Sequence, residues 1–309
     1  MSKLPVPRDI PKRTGKFLSF DGTPIYYEVR GSGPPLVLCY GLACVFNHWT
    51  HQIRFFSQHY QVIVFDYRGH HNTPEPADRE NLSIDAIARD LKGLLDHLDI
   101  QKASLWGHSF GVLVLLRFFD MFPASVANLV FVNGFANNPI RNLFGINTIA
   151  PLLQIAKEGY KFFPTTLSSL WRAAVSNPLA IPISSLAGGF NLNLTSMKDI
   201  EVYARGVAGM DLEVFMALFD QMMRYNATSV LDRINVPTLI IGGAKDGLTP
   251  RSYQEDMHKR IHGSQFLAVP YGSHCTQLDL PDYVNLRADK FLHEIGYASD
   301  SDKQPSKIP

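Results

Sequence analysis

The chain has little with which to cross-link itself, grip a polyanion or span a bilayer. Its three cysteines, Cys39, Cys44 and Cys275, are an odd number without the C-x-x-C spacing of a metal knuckle. That excludes a disulfide framework and fits a reducing compartment, with Cys39 and Cys275 read as small buried hydrophobes. An excess of charge of one sign is also missing: 29 Lys and Arg against 28 Asp and Glu leave +1, no basis for steering toward nucleic acid. The one basic cluster, Lys12, Arg13 and Lys16, is short and reads as a solvated N-terminal arm. No apolar run approaches the roughly 20 residues of a membrane span; the longest, residues 110–116, stops at Arg117. Residues 1–11 carry scattered prolines rather than the apolar core of a secretory signal. A cytoplasmic protein without stable membrane insertion is expected. His70 and His71 are adjacent rather than helically spaced, and no glycine-rich phosphate loop occurs, so no metal, nucleotide or other cofactor is expected.

What is present is a 46% hydrophobic chain long enough for a large core. Residues 16–20 and 24–30 flank Asp21-Gly22 and read as an antiparallel hairpin. Continuous apolar runs at 36–40, 61–65, 103–106, 126–132, 236–241 and 266–269 read as strands buried on both faces. Helical patterns lie between them: one capped by Asn47, one capped by Ser83 with Ile84, Ile87, Leu91, Leu94 and Leu95 on one face, one over 110–122, one over 251–261 and a last from Asp282. Such alternation predicts an α/β protein with a doubly wound, mostly parallel sheet. It stops between residues 134 and 229, which read as an inserted helical cap, leaving 1–133 and 230–298 as the core domain and 299–309 as a polar, disordered tail. The cap's apolar side chains, among them Phe144, Ile146, Phe162, Phe163, Leu170 and Trp171, read mainly as its own core. A rival reading gives Phe162, Phe163, Leu170 and Trp171 peripheral contact with lipid.

The centre of the chain is Gly107-His108-Ser109-Phe110-Gly111, between a strand and a long apolar helix pattern. A serine between two glycines at such a junction is a nucleophile elbow: the tight turn lifts the hydroxyl out of the sheet. It also aims the Phe110 N–H from the positive helix end at the same space. A plain strand-to-helix turn with a capping serine is the alternative.

Serine is a weak nucleophile at neutral pH, so it needs an imidazole as base and a carboxylate to orient that imidazole. The strand at 236–241 runs into a loop carrying Asp246, and the strand at 266–269 into one carrying His274. Both stand past strand ends, in the order acid then histidine. Of eleven histidines only His274 stands there, and His108 is read as structural. Asp279 is the rival acid, following His274 too closely to approach the far side of its ring. Asn133 and Gly134 stand where an acid after the strand at 126–132 would. A second oxyanion donor is expected beyond Gly41, at the Leu42 N–H.

With these residues in this order, the chain resembles the α/β-hydrolase superfamily over nearly all its length. Residues 107–111, Asp66-Tyr67-Arg68-Gly69-His70, Gly41 followed by Trp49, Asp246 and residues 272–274 carry the resemblance, and the insertion is similar to the superfamily's helical cap. Tyr40 stands where His is usual before the oxyanion-loop glycine, and His71 where Gly is usual after His70. Serine at 109 argues against the aspartate-nucleophile branches, the epoxide hydrolases and haloalkane dehalogenases. The resemblance implies a serine carboxylesterase or lipase-like enzyme; the apolar cap points to a small ester with a lipophilic acyl chain, and the balanced charge to no nucleic-acid partner. Thioesterase, acyltransferase, C–C hydrolase and perhydrolase chemistry use the same triad, and a ligand-binding receptor on the same scaffold is the rival of another class.

Overall fold

The computed structural model describes residues 10–137, 149–177 and 179–297. Phe144, Ile146 and the expected tail from Ser299 lie outside the described residues. Eight strands form one sheet in the order β1-β2-β4-β3-β5-β6-β7-β8. They are β1 (Lys12–Leu18), β2 (Pro24–Arg30), β3 (Pro35–Cys39), β4 (Gln61–Phe65), β5 (Ala103–His108), β6 (Val126–Val132), β7 (Thr238–Gly243) and β8 (Gln265–Val269). The two β1–β2 and β2–β4 pairings are antiparallel and the other five parallel. Strands β3 to β7 are buried almost throughout, as continuous apolar runs require when both faces are covered.

The helices are α1 (Thr50–Phe56), α2 (Ile84–His97), α3 (Phe110–Met121), α4 (Ile149–Phe162), α5 (Pro164–Val175), α6 (Ala180–Leu186), α7 (Met197–Gly209), α8 (Leu212–Arg224), α9 (Thr228–Leu231), α10 (Arg251–Arg260), α11 (Thr276–Asp279) and α12 (Pro281–Glu294). Helix α2 packs on α3, and α1 on α12. Ser83 caps α2 as expected, accepting the Ala86 N–H. Helix α3 is apolar nearly all round because it is wedged between α2 and β5.

The structure corrects three expectations. Strand β1 begins at Lys12, so the basic cluster is no loose arm. It pairs with β2 from Lys12 opposite Arg30, Lys12 Nζ donates to Glu28 at 3.0 Å, and its exposed charges suit an edge strand that must not recruit another. Asn47 caps nothing: it lies inside a short 3-10 turn, Phe46–Trp49, that leads directly into α1. The apolar residues of α4 and α5 are not an inner core. Phe162, Phe163 and Leu170 are 74%, 65% and 60% exposed, because α4 and α5 pack on each other and on α7 and α8 by one side only. Trp171 alone of the four turns inward, its ring 4.7 Å from that of Phe215.

Candidate active site

Register brings the functional loops together. Cys39 lies opposite Gly107 in the β3–β5 pairing, and His108 opposite Val132 in β5–β6. Val132 in turn faces Ile241 in β6–β7, and Gly243 faces Val269 in β7–β8. Each strand's C-terminal end therefore delivers its loop to the same rim of the sheet. The chain winds outward in both directions from the β3–β5 seam, the crevice where sheets of this topology bind ligands.

The elbow demands its two glycines because two backbones meet there. A Cβ on Gly107 would sit 2.9 Å from the Gly111 carbonyl, and one on Gly111 would sit 2.4 Å from the Cys39 carbonyl oxygen. Ser109 itself has φ +53° and ψ −119°, a conformation that costs a non-glycine residue of order 1–3 kcal/mol. Ala43, His71 and Asn133 also have positive φ. These four residues follow β3, β4, β5 and β6, so most of the strained backbone lies along one rim, Asp99 after α2 being the exception among the described residues.

Ser109 Oγ lies 2.9 Å from His274 Nε2, and His274 Nδ1 lies 3.0 Å from Asp246 Oδ2. Since a carboxylate only accepts, Nδ1 carries the proton and the Nε2 lone pair faces the serine hydroxyl. The structure thus brings Ser109, His274 and Asp246 together. Asp246 is held from all sides: Oδ1 accepts the N–H groups of Leu248 and Thr249 at 2.9 and 2.8 Å, and Oδ2 accepts Asn133 Nδ2 at 2.8 Å. Thr249 Oγ1 lies 2.6 Å from Oδ2, 2.9 Å from the Asn133 carbonyl and 3.2 Å from His274 Nδ1. Its one proton serves one of the two oxygens, while its lone pair faces the imidazole N–H.

Asp279, the rival acid, has another task. Its carboxylate accepts the Ser273 N–H and bonds the Thr195 hydroxyl, steadying the loop that carries His274 from beneath. The stretch between α6 and α7 holds the same loop: the His274 N–H donates to the Gly188 carbonyl at 2.8 Å, and Asn191 Nδ2 to the Tyr271 carbonyl at 2.9 Å.

Phe110 follows the serine at the start of α3 and Leu42 lies in the loop after β3 next to Gly41, and neither N–H has an acceptor among the described residues. The two unusual residues of the neighbouring loops are accounted for. Tyr40 Oη accepts the Tyr67 N–H at 3.0 Å and donates toward Asp66 at 3.4 Å, while Tyr67 Oη donates to the Tyr40 carbonyl at 2.9 Å. His71, at φ +46°, donates from Nε2 to the Cys44 carbonyl at 3.0 Å and so ties the loop after β4 to the loop after β3. Arg68, wholly buried, bonds Asp90 through two nitrogens at 2.8 and 2.6 Å and Asp21 at 2.7 Å, pinning the hairpin turn to α2.

His108 is fully buried beside the site, as a structural residue would be, with Nε2 donating to the His274 carbonyl at 2.8 Å. Burial, and then the neighbouring His274 and His48, hold its pKa well below the ordinary value. Sequence reasoning missed Asn133 and Thr249. The signal for Thr249 was available, an acid with a hydroxyl residue three positions later, the pattern of a side-chain-closed turn.

A family model described as "alpha/beta hydrolase fold" matches residues 34–281. A human protein named epoxide hydrolase 4 is 27% identical over 301 residues, covering 88% of this chain and 80% of its own. Among solved structures, a thermophilic esterase from Thermogutta terrifontis is 21% identical with a TM-score of 0.71, covering 92% of this chain and 99% of its own. A bromoperoxidase from Bacillus anthracis is likewise 21% identical, with a TM-score of 0.72, covering 92% and 100%.

Proposed function

The chain belongs to the alpha/beta hydrolase fold family, and from that premise we propose that it is a serine hydrolase cleaving carboxylic esters through an acyl-enzyme. The relay from Ser109 Oγ to His274 Nε2 at 2.9 Å, backed by Asp246 at 3.0 Å, carries this reading. Ser109 Oγ attacks the ester carbonyl carbon as its proton passes to Nε2, and Asp246 stabilises the imidazolium through the Nδ1–H. The oxyanion accepts the N–H groups of Leu42 and Phe110. The intermediate collapses, the C–O bond to the alcohol breaks, and His274 protonates the departing oxygen. Water, deprotonated by His274, then releases the acid and restores the serine.

The human relative's name does not carry over. Attack of a serine oxygen on an epoxide carbon yields an alkyl ether, which has no carbonyl for water to attack, so no turnover follows. An ester substrate leaves an acyl-serine that the same relay hydrolyses.

Residues 134–229 form the cap in this reading, with α7 and the stretch before it leaning on the His274 loop. Its exposed Phe162, Phe163 and Leu170 support a lipophilic substrate and peripheral contact with lipid, since each buried methylene gains about 0.8 kcal/mol. Free, buried thiols at all three cysteines support a cytoplasmic location. No described helix is long and apolar enough to cross a membrane.

The test is a panel of p-nitrophenyl esters of graded acyl length with Ser109→Ala as control, together with the mass of the protein after fluorophosphonate treatment. Turnover lost in the variant and a phosphonyl adduct on Ser109 are expected. A panel left intact, or an equally active variant, overturns the reading.

A further inference from the structure

Beside the triad, with the His108 ring 4.9 Å from that of His274, lies a second group of side chains that ester cleavage does not use. The ligand atoms of Cys44, His48 and His108 lie within 4.8 Å of one another, and all three residues are buried. Cys44 comes from the loop after β3, His48 from the 3-10 turn before α1, and His108 from the end of β5. Nδ1 of His48 and Nδ1 of His108 are both shut away from water without a hydrogen-bond partner. A buried polar atom left unpaired costs about 1–3 kcal/mol, so two side by side ask what they serve.

Three details give the cluster the form of a ligand set. His108 Nε2 donates to the His274 carbonyl, so its Nδ1 bears a lone pair and no proton, which is how metal-bound histidines are oriented. His48 Nε2 lies 3.8 Å from Cys275 Sγ, while its Nδ1 has no partner among the described residues. Gly41 leaves the room: a Cβ there would lie 3.2 Å from both Cys44 Sγ and His108 Nδ1, so the absence of a side chain opens the space between these donors. Tyr203 of α7 closes the cluster from above, its ring stacked on His48 at 4.7 Å.

We propose that Cys44, His48 and His108 bind a thiophilic divalent cation of the zinc class, beside the triad. Two imidazoles and one thiolate suit a tetrahedral ion, with the fourth position left to a non-protein ligand. Bonds of about 2.0–2.1 Å to nitrogen and about 2.3 Å to sulfur set donor separations of about 3.3–3.6 Å, so each donor moves by less than about 1 Å to close on the ion. The Cys44 thiol, which points at the Leu42 carbonyl at 3.6 Å and shares a hydrogen bond with Tyr203, gives these contacts up and releases one proton to solvent for each ion bound. The inference is independent of ester cleavage, since it is read by binding.

Tag-free, metal-stripped protein is incubated to constant signal with Co²⁺ and, separately, titrated with Zn²⁺ against a chromophoric chelator. One ion per chain is expected, with a thiolate-to-cobalt charge-transfer band and the intense d–d absorption of a tetrahedral site. Zn²⁺ affinity should rise about tenfold per pH unit, as release of one proton requires. Cys44→Ser should abolish the charge-transfer band, and His48→Gln should weaken Zn²⁺ binding about hundredfold or more. Gly41→Ala, which leaves every donor in place, should also weaken it. No uptake by the wild-type chain, a band that survives in Cys44→Ser, or affinity independent of pH overturns the proposal. The wild-type spectrum shows whether a thiolate-bound tetrahedral ion is taken up even where a variant does not fold.

Discussion

Asn133 Nδ2 donates to Asp246 Oδ2 at 2.8 Å and also lies 3.1 Å from the Ser273 carbonyl, so one amide group ties the acid to the backbone just before the base. Asn133 stands at φ +47°, a region asparagine enters more readily than most residues, and its N–H donates to the Ile241 carbonyl at 2.8 Å. Side chain and backbone therefore hold the ends of β6 and β7 to the His274 loop.

Asn133→Gly keeps the left-handed backbone and removes the amide. Loss of a hydrogen bond to a charged group is worth about 1.5–3 kcal/mol, which corresponds to a fall in kcat of roughly 10–100-fold with KM little changed. Asp246→Asn, which forces the wrong imidazole tautomer, should cost far more, about 10⁴-fold. Steady-state kinetics on the best ester of the panel check both. Equal losses in the two variants would remove the positioning role of Asn133.

Arg68 and Asp90 are both shut off from solvent. Breaking such a pair leaves an uncompensated buried charge, so Arg68→Met should destabilise by about 3–5 kcal/mol in urea unfolding. The double change Arg68→Met with Asp90→Leu should recover much of that loss. A double variant as unstable as the sum of its singles would show that the two residues do not act as a pair.

Tyr40→Phe should cost about 1–3 kcal/mol of stability, because the Tyr67 N–H and the Asp66 carboxyl each lose a buried partner. Thermal unfolding and urea midpoints read it. A neutral substitution would mean that the loops after β3 and β4 are held by packing alone.

Three buried histidines make stability depend on pH. Burial holds His48 and His70 down to about 3 and His108 well below its ordinary value. The unfolded chain takes up these protons near pH 6.5, whereas the folded chain does not until far lower. Above about 6.5 both states are neutral and stability is at its plateau; as pH falls below that, the unfolded state binds more protons and stability drops, by up to about 1.4 kcal/mol per pH unit for each histidine. Urea midpoints at pH 7, 6 and 5 should fall in that order, and His70→Gln should flatten the slope by about one proton. An unchanged slope would count against it.

The sheet and the Ser109, Asp246 and His274 alignment were legible because the parallel strands are continuous apolar runs and each site residue stands in the loop or turn just past one. Phe162 and Phe163 misled because an apolar letter at helical spacing does not say which side of a helix finds a partner. Cys44, His48 and His108 were hidden for a different reason: Cys44 and His48 lie in one stretch, and it takes the β3–β5 register to bring His108 beside them. His71 looked like a departure from the usual glycine, yet its side chain bonds the Cys44 carbonyl that a glycine could not reach.

The positive φ angles at Ala43, His71, Ser109 and Asn133 have a consequence for anyone redesigning the chain. A procedure that scored backbone strain alone would rewrite these four positions to glycine. Together these changes would relax the rim and remove the Ser109 hydroxyl, the Asn133 amide and the His71 tie between loops from it. Where this backbone is least comfortable is where a stabilised variant has to be left untouched.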